Sequence, residues 1–186
     1  FNPDGSPDTS FSGDGWRRMD VDGGTDMFYG LHRLDSGLIL ASGQTQDTGV
    51  TQESALVRFN SNGSTDTSFA TNGIFTREMG DNDLARNLTV LPDGRIVLIG
   101  YSGISPNRDG YVMLLDEDGS LDASFDTDGI AELDLGGDET LIDVLRQPDG
   151  KLLVAGGANS ADGTDLCISR YLLDGSLDPD FGTDGT

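Results

Sequence analysis

Short apolar runs separated by polar turns recur along the chain in a fixed order. Residues 38–43 (LILASG), 95–100 (RIVLIG) and 151–156 (KLLVAG) are rich in branched aliphatics. Each follows a turn triplet: Asp35-Ser36-Gly37, Pro92-Asp93-Gly94 and Pro148-Asp149-Gly150. Pro, Asp and Gly supply the backbone angles such turns need. A second family of runs, 55–59 (ALVRF), 111–115 (YVMLL) and 166–171 (LCISRY), comes after a longer polar loop. Residues 28–34 and 84–91 predict a strand ahead of the turn, and 74–79 a short one before that. The runs are continuous rather than alternating, the pattern of strands buried on both faces. Helix is disfavoured, because Gly, Pro and Asp interrupt every window before three turns can form.

A sixteen-residue phrase occurs four times between these runs, at 1–16 (FNPDGSPDTSFSGDGW), 59–74 (FNSNGSTDTSFATNGI), 115–130 (LDEDGSLDASFDTDGI) and 171–186 (YLLDGSLDPDFGTDGT). Its glycines Gly5, Gly63, Gly119 and Gly175 are spaced 58, 56 and 56 residues apart. A fixed period in this range marks one supersecondary unit copied in tandem. Four strand signals per unit predict an all-β fold of consecutive four-stranded antiparallel sheets, arranged as β-propeller blades. The expected division is a linker phrase at 1–16 and repeats at 17–74, 75–130 and 131–186.

The strings PDGRIVLIG (92–100), PDGKLLVAG (148–156) and DGSLDASFDTDG (118–129) resemble the delta-60 repeat. That resemblance covers essentially the whole chain. It implies a bacterial propeller-type repeat of uncharacterised function, in tandem within large secreted or surface proteins, and it brings no catalytic residues with it. Closed single-chain propellers need about four to eight blades. Three units therefore leave three arrangements open: a slice of a longer array, two chains closing a six-bladed ring, or an end-to-end filament.

Composition narrows the partners. The formal charge is −22, and Asp outnumbers Glu by 28 to 5, which suits turns rather than helices. Such a surface repels phosphate backbones and anionic membranes. No run of 18 apolar residues exists. Phe1 is not preceded by an initiator Met or a leader, so the chain reads as a mature or excised piece. Cys167 is the only cysteine, which excludes an intrachain disulfide, and its apolar neighbours read as a strand.

Candidate chemistry is sparse. Asp116, Asp118 and Asp122 surround Gly119 at alternate positions, as oxygen ligands do in calcium loops, although Leu114 stands where a further acid is wanted. The same residues also read as an Asx turn. Calcium is the candidate cofactor, and it would relieve self-repulsion at −22. Phe11, Phe69, Phe125 and Phe181 sit at one phase of the repeat and read as plugs between neighbouring units. His32 lies in a predicted strand with no nucleophile motif beside it. Trp16 reads as packing, and the sequons at Asn62 and Asn87 as chance.

Turns alternate ends in a meander, so the phrases and tight turns share one end and the divergent loops share the other. Recognition belongs on the divergent end, with Tyr101, Asn107 and Asp109 as candidate glycan contacts. The expected function is a non-catalytic extracellular or cell-surface structural module that associates with further copies of itself or further repeats. The alternatives are a glycan-binding propeller and a hydrolase whose carboxylates, for example Glu78 and Glu132, line a central channel.

Overall fold

In the computed structural model, which describes residues 1–47, 51–160 and 162–186, the apolar runs are strands. They are β1 (Met27–Arg33), β2 (Ile39–Gln46), β3 (Gln52–Phe59), β4 (Ile74–Arg77), β5 (Leu84–Val90), β6 (Ile96–Ile104), β7 (Asn107–Leu115), β8 (Ile130–Leu133), β9 (Glu139–Arg146), β10 (Leu152–Ser160) and β11 (Gly163–Tyr171). Three antiparallel meanders result: β1-β2-β3-β4, β5-β6-β7-β8 and β9-β10-β11. No helix occurs among the described residues. The divergent loops expected at 44–54 and 157–165 fall partly outside them.

The phase of the repeat differs from the expected one. The phrase is not a linker between blades. Instead residues 60–73 join β3 to β4 within one sheet, and β4 pairs back on β3 from Ser54↔Arg77 to Val57↔Ile74. Residues 116–129 do the same for β7 and β8, from Gly110↔Leu133 to Met113↔Ile130. The phrase folds onto the end of the strand it leaves. The Asp66 amide donates to the Arg58 carbonyl, and the Arg58 amide donates to the Gly73 carbonyl. The chain is thereby turned back along the strand edge. The sheets therefore begin at Met27, Leu84 and Glu139, not at residues 17, 75 and 131.

First strands line up along the stack: β5 packs on β1 and β2, and β9 packs on β5, β6 and β7. The middle sheet is covered on both sides. Leu98, Tyr111, Met113 and Leu115 meet Leu40, Leu56 and Phe69 of the first sheet. Val97, Ile99, Val112 and Leu114 meet Leu141, Val144, Leu152, Val154 and Tyr171 of the third. That two-sided burial is why the β6 and β7 sequences run apolar without alternation. The end sheets are less covered. Met19 and Ile39 pack against Ala41, Val57 and Phe59 on the near side of the first sheet. The third sheet leaves Leu145, Leu166 and Ile168 exposed.

Candidate functional site

The two ends of the sheets do different work. At the turn end, each phrase is an Asx turn: the Asp118 carboxylate accepts the Ser120 amide (2.9 Å) and hydroxyl (2.6 Å), and Asp4, Asn62 and Asp174 repeat the pattern. Successive phrases are then joined in a ladder. The amides of Ser12, Ala70 and Asp126 donate to the carbonyls of Asn62, Asp118 and Asp174, at 2.8, 2.7 and 2.9 Å. Each donor follows the phrase phenylalanine, and each is left-handed, with φ of 54°, 40° and 43°. A conformation unfavourable for these residues persists because the surrounding bonds hold it.

The phenylalanines lie in that ladder. Phe69 packs on Gly119 so closely that a Cβ there would lie 2.8 Å from its ring, and Phe11 stands against Gly63 in the same way. Phe69 and Phe125 are fully buried. Phe11 and Phe181, in the outer phrases, are half-buried. Arg58 and Arg170 stack over Phe69 and Phe181 at 4.6 and 4.7 Å.

Asp116, Asp118 and Asp122 are not among the acids whose ligand atoms lie within 4.8 Å of one another. Asp116 is exposed. Ser120 occupies Asp118 and holds its carboxyl below the usual range. Asp122 accepts from Ser124 through one oxygen and from Arg95 (2.9 Å) through the other, and these bonds lower it in the same sense. The Asp118 and Asp122 carboxylates are committed to their turns and to the Arg95 ion pair.

At the loop end, Tyr101, Asn107 and Asp109 share one hairpin. Arg108 stacks over Tyr101 at 4.9 Å. Asn107 is exposed at the tip, paired with Ile104. Asp109 instead approaches Asp134 and Glu139. Glu78 and Glu132 are exposed and line an open cleft of about 550 Å³ with Arg77, Asp126 and Asp128, along the outermost strands rather than a central channel. His32 lies in β1, Trp16 is exposed, and Cys167 is half-buried in β11.

Among the described residues, one group of acids brings its ligand atoms within 4.8 Å of one another: Asp109 on β7, Asp134 after β8 and Glu139 at the start of β9. Glu139 is 0 % exposed, and neither of its carboxylate oxygens has a hydrogen-bond partner. Burial raises its carboxyl above the usual range, and Asp134 and Asp109 push it further the same way. Asp109 is raised too, by burial and then by Asp134. The convergence of these acids is not visible from the spacing of Asp109, Asp134 and Glu139 alone. Its signal was there: Asp26, Asp83 and Glu139 hold one phase of the repeat, and only the last is a Glu.

The repeat, the meander sheets and the stacked turns define a tandem β-propeller repeat protein. The family model described as a domain of unknown function (DUF5122) beta-propeller matches residues 36–69, 91–125 and 147–181, more than half of the chain. The chain belongs to that family. No curated protein matches it.

Proposed function

We propose that this chain is a non-catalytic structural module of the cell surface or extracellular space that assembles with a second copy of itself. The observation that carries this reading is the pairing of faces inside the molecule. At both internal junctions, the far face of one sheet covers the near face of the next. The near face of the first sheet and the far face of the third are left with less cover. The third presents a shallow apolar groove lined by Leu145, Leu153, Ala155 and Ile168. These two faces are of the kinds that join inside the chain, so a contact between copies would be head-to-tail. Such a contact closes a ring if the rotation permits and otherwise extends. The surface setting is supported by the resemblance to delta-60 repeats and by the charge of −22, which keeps an apolar-ended module soluble.

Light scattering tests the reading. The chain of 19.6 kDa is expected to show twice that mass or more at micromolar concentration. A stable monomer with an unexposed third-sheet face would overturn it. Leu166→Arg and Ile168→Arg, both on β11, are expected to reduce the mass towards that of one chain without unfolding it.

A further inference from the structure

Asp26, Asp83 and Glu139 mark the same place in three successive repeats, at the entry to the innermost strand. The first two are capped by their own loops. Asp26 accepts the Val21 amide at 3.0 Å and the Thr45 hydroxyl at 2.6 Å. Asp83 accepts the Met79 amide at 2.6 Å through one oxygen, and its other oxygen is buried without a partner. Glu139 is one methylene longer, and neither of its oxygens completes a hydrogen bond. Its register partner is Ala158, which has no hydroxyl to offer. The amides of Leu135 and Gly137 lie near enough to ease its charge without completing a hydrogen bond. A sealed carboxylate in that position is costly unless it is neutralised or coordinated. The neighbours that act on it are Asp134 and Asp109, which carry the same charge.

We propose that Asp109, Asp134 and Glu139 form a calcium site at the loop end of the junction between the second and third sheets. All three offer hard oxygen donors, which select calcium, magnesium or manganese over zinc and copper. Calcium takes oxygens at roughly 2.3–2.6 Å, so donors on opposite sides of one ion stand about 4.8 Å apart. The observed spread, within 4.8 Å, fits one ion touching all three. Calcium also accepts an irregular set with a bidentate Glu, whereas magnesium demands near-octahedral geometry and keeps most of its water. Glu139 is the buried anchor and Asp109 is half-buried. Asp134 is exposed and gives the ion its way in. The Gly136 amide holds one Asp134 oxygen at 2.8 Å and leaves the other free to bind. The matching acids of the previous junction, Glu53, Glu78 and Asp83, do not converge in this way. The site lies within one chain, so it stands or falls separately from the assembly reading.

The experiment is calcium titration of the chelator-treated chain, by calorimetry and by thermal melting, against sodium chloride at matched ionic strength. One ion per chain is expected, with the melting midpoint raised by roughly 5–10 °C at calcium a hundredfold above its Kd. Glu139→Gln keeps the shape and removes the buried charge, so it is expected to fold and to lose the calcium response. Asp109→Asn is expected to weaken binding at least tenfold. Asp118→Asn, in the phrase, is expected to leave binding unchanged. Three results would overturn the proposal: no calcium response beyond that of sodium chloride, a response that survives Glu139→Gln, or one abolished by Asp118→Asn.

Discussion

The two internal junctions place different side chains on equivalent backbone. Between the first and second sheets, the Ser54 hydroxyl and the Tyr111 phenol share a buried hydrogen bond of 2.6 Å, and Asp83 caps its loop. One repeat on, Gly110 stands in place of Ser54 and lies against Leu141, Cys167 stands in place of Tyr111, and Glu139 stands in place of Asp83. At the turn end the same two junctions are nearly identical, with one ladder bond and one buried phenylalanine each. The turn end sets the spacing between sheets and tolerates little change. The loop end inherits that spacing: in one junction the buried acid keeps a hydrogen bond through one oxygen, and in the other neither oxygen has a partner.

The largest effect should come from breaking the turn end. Phe69→Ala and Phe125→Ala each remove a fully buried ring and are expected to cost about 3–5 kcal/mol in urea unfolding. Phe11→Ala and Phe181→Ala, at half-buried positions of the outer phrases, should cost roughly a third of that. Equal losses at all four positions would mean that burial between phrases is not what distinguishes inner from outer copies.

A second test sharpens the contrast between internal junctions and free faces. The first phrase occupies what an incoming fourth phrase from another chain would need: the Ser12 amide holds the Asn62 carbonyl, and Phe11 lies on Gly63. Met19 also covers part of the near face. Deleting residues 1–20 is therefore expected to tighten self-association roughly tenfold, or about 1.4 kcal/mol. Sedimentation velocity would read this, and weaker association on deletion would break the head-to-tail reading.

Much of the turn end was legible in the sequence, because its features are local. Asp118-Gly119-Ser120 forms its Asx turn from neighbours two residues apart, and a period of 56 needs only counting. The phase of the sheets was not legible. Residues 74–77 (IFTR) carry no mark of whether they pair backward onto β3 or forward onto β5, and the fold-back bond from Arg58 to Gly73 decides it. The acid cluster was hidden for a related reason. Asp and Glu count alike as charge, and only the fold turns one extra methylene and a missing Thr hydroxyl into a carboxylate without a partner. The Phe11 and Phe69 positions were visible as a repeated aromatic, but not their differing burial, which depends on what stands beyond each phrase.

The hydrogen bond peculiar to the first junction offers a smaller test. Tyr111→Phe and Ser54→Ala each leave the remaining hydroxyl unpaired in a buried site and are expected to cost about 1 kcal/mol. Their combination should cost less than the sum, because removing both partners leaves no orphan. A double-mutant cycle measures that coupling. Strict additivity would show that the bond does not join the two sheets energetically. Burial pushes the Tyr111 phenol well above the usual range, so the pair stays neutral and the result should not vary across ordinary pH.

The smallest effect concerns acid and compares the last phrase with the one before it. Asp178 accepts from Lys151 and Arg170, each at 2.6 Å, and hydrogen bonding, chiefly from Lys151, lowers its carboxyl to about 2. Asp122 has Arg95 at 2.9 Å and is also lowered, mainly by Ser124. A carboxylate whose folded pKa is depressed contributes stability above its unfolded value of about 3.9. That contribution fades as pH falls through the folded value. The window for Asp178 therefore runs from about pH 4 down to about pH 2. Lys151→Met removes the larger of its partners and leaves Arg170 in place, so the variant should begin less stable at pH 5 and lose less on acidification. Urea midpoints for the two proteins are expected to converge as pH approaches 2. Arg95→Met should give a weaker convergence, because Ser124 rather than the arginine dominates at Asp122. Curves that stay parallel for Lys151→Met would show that the ion pair contributes nothing to acid sensitivity, and that the closely bonded last phrase is no better held than the one before it.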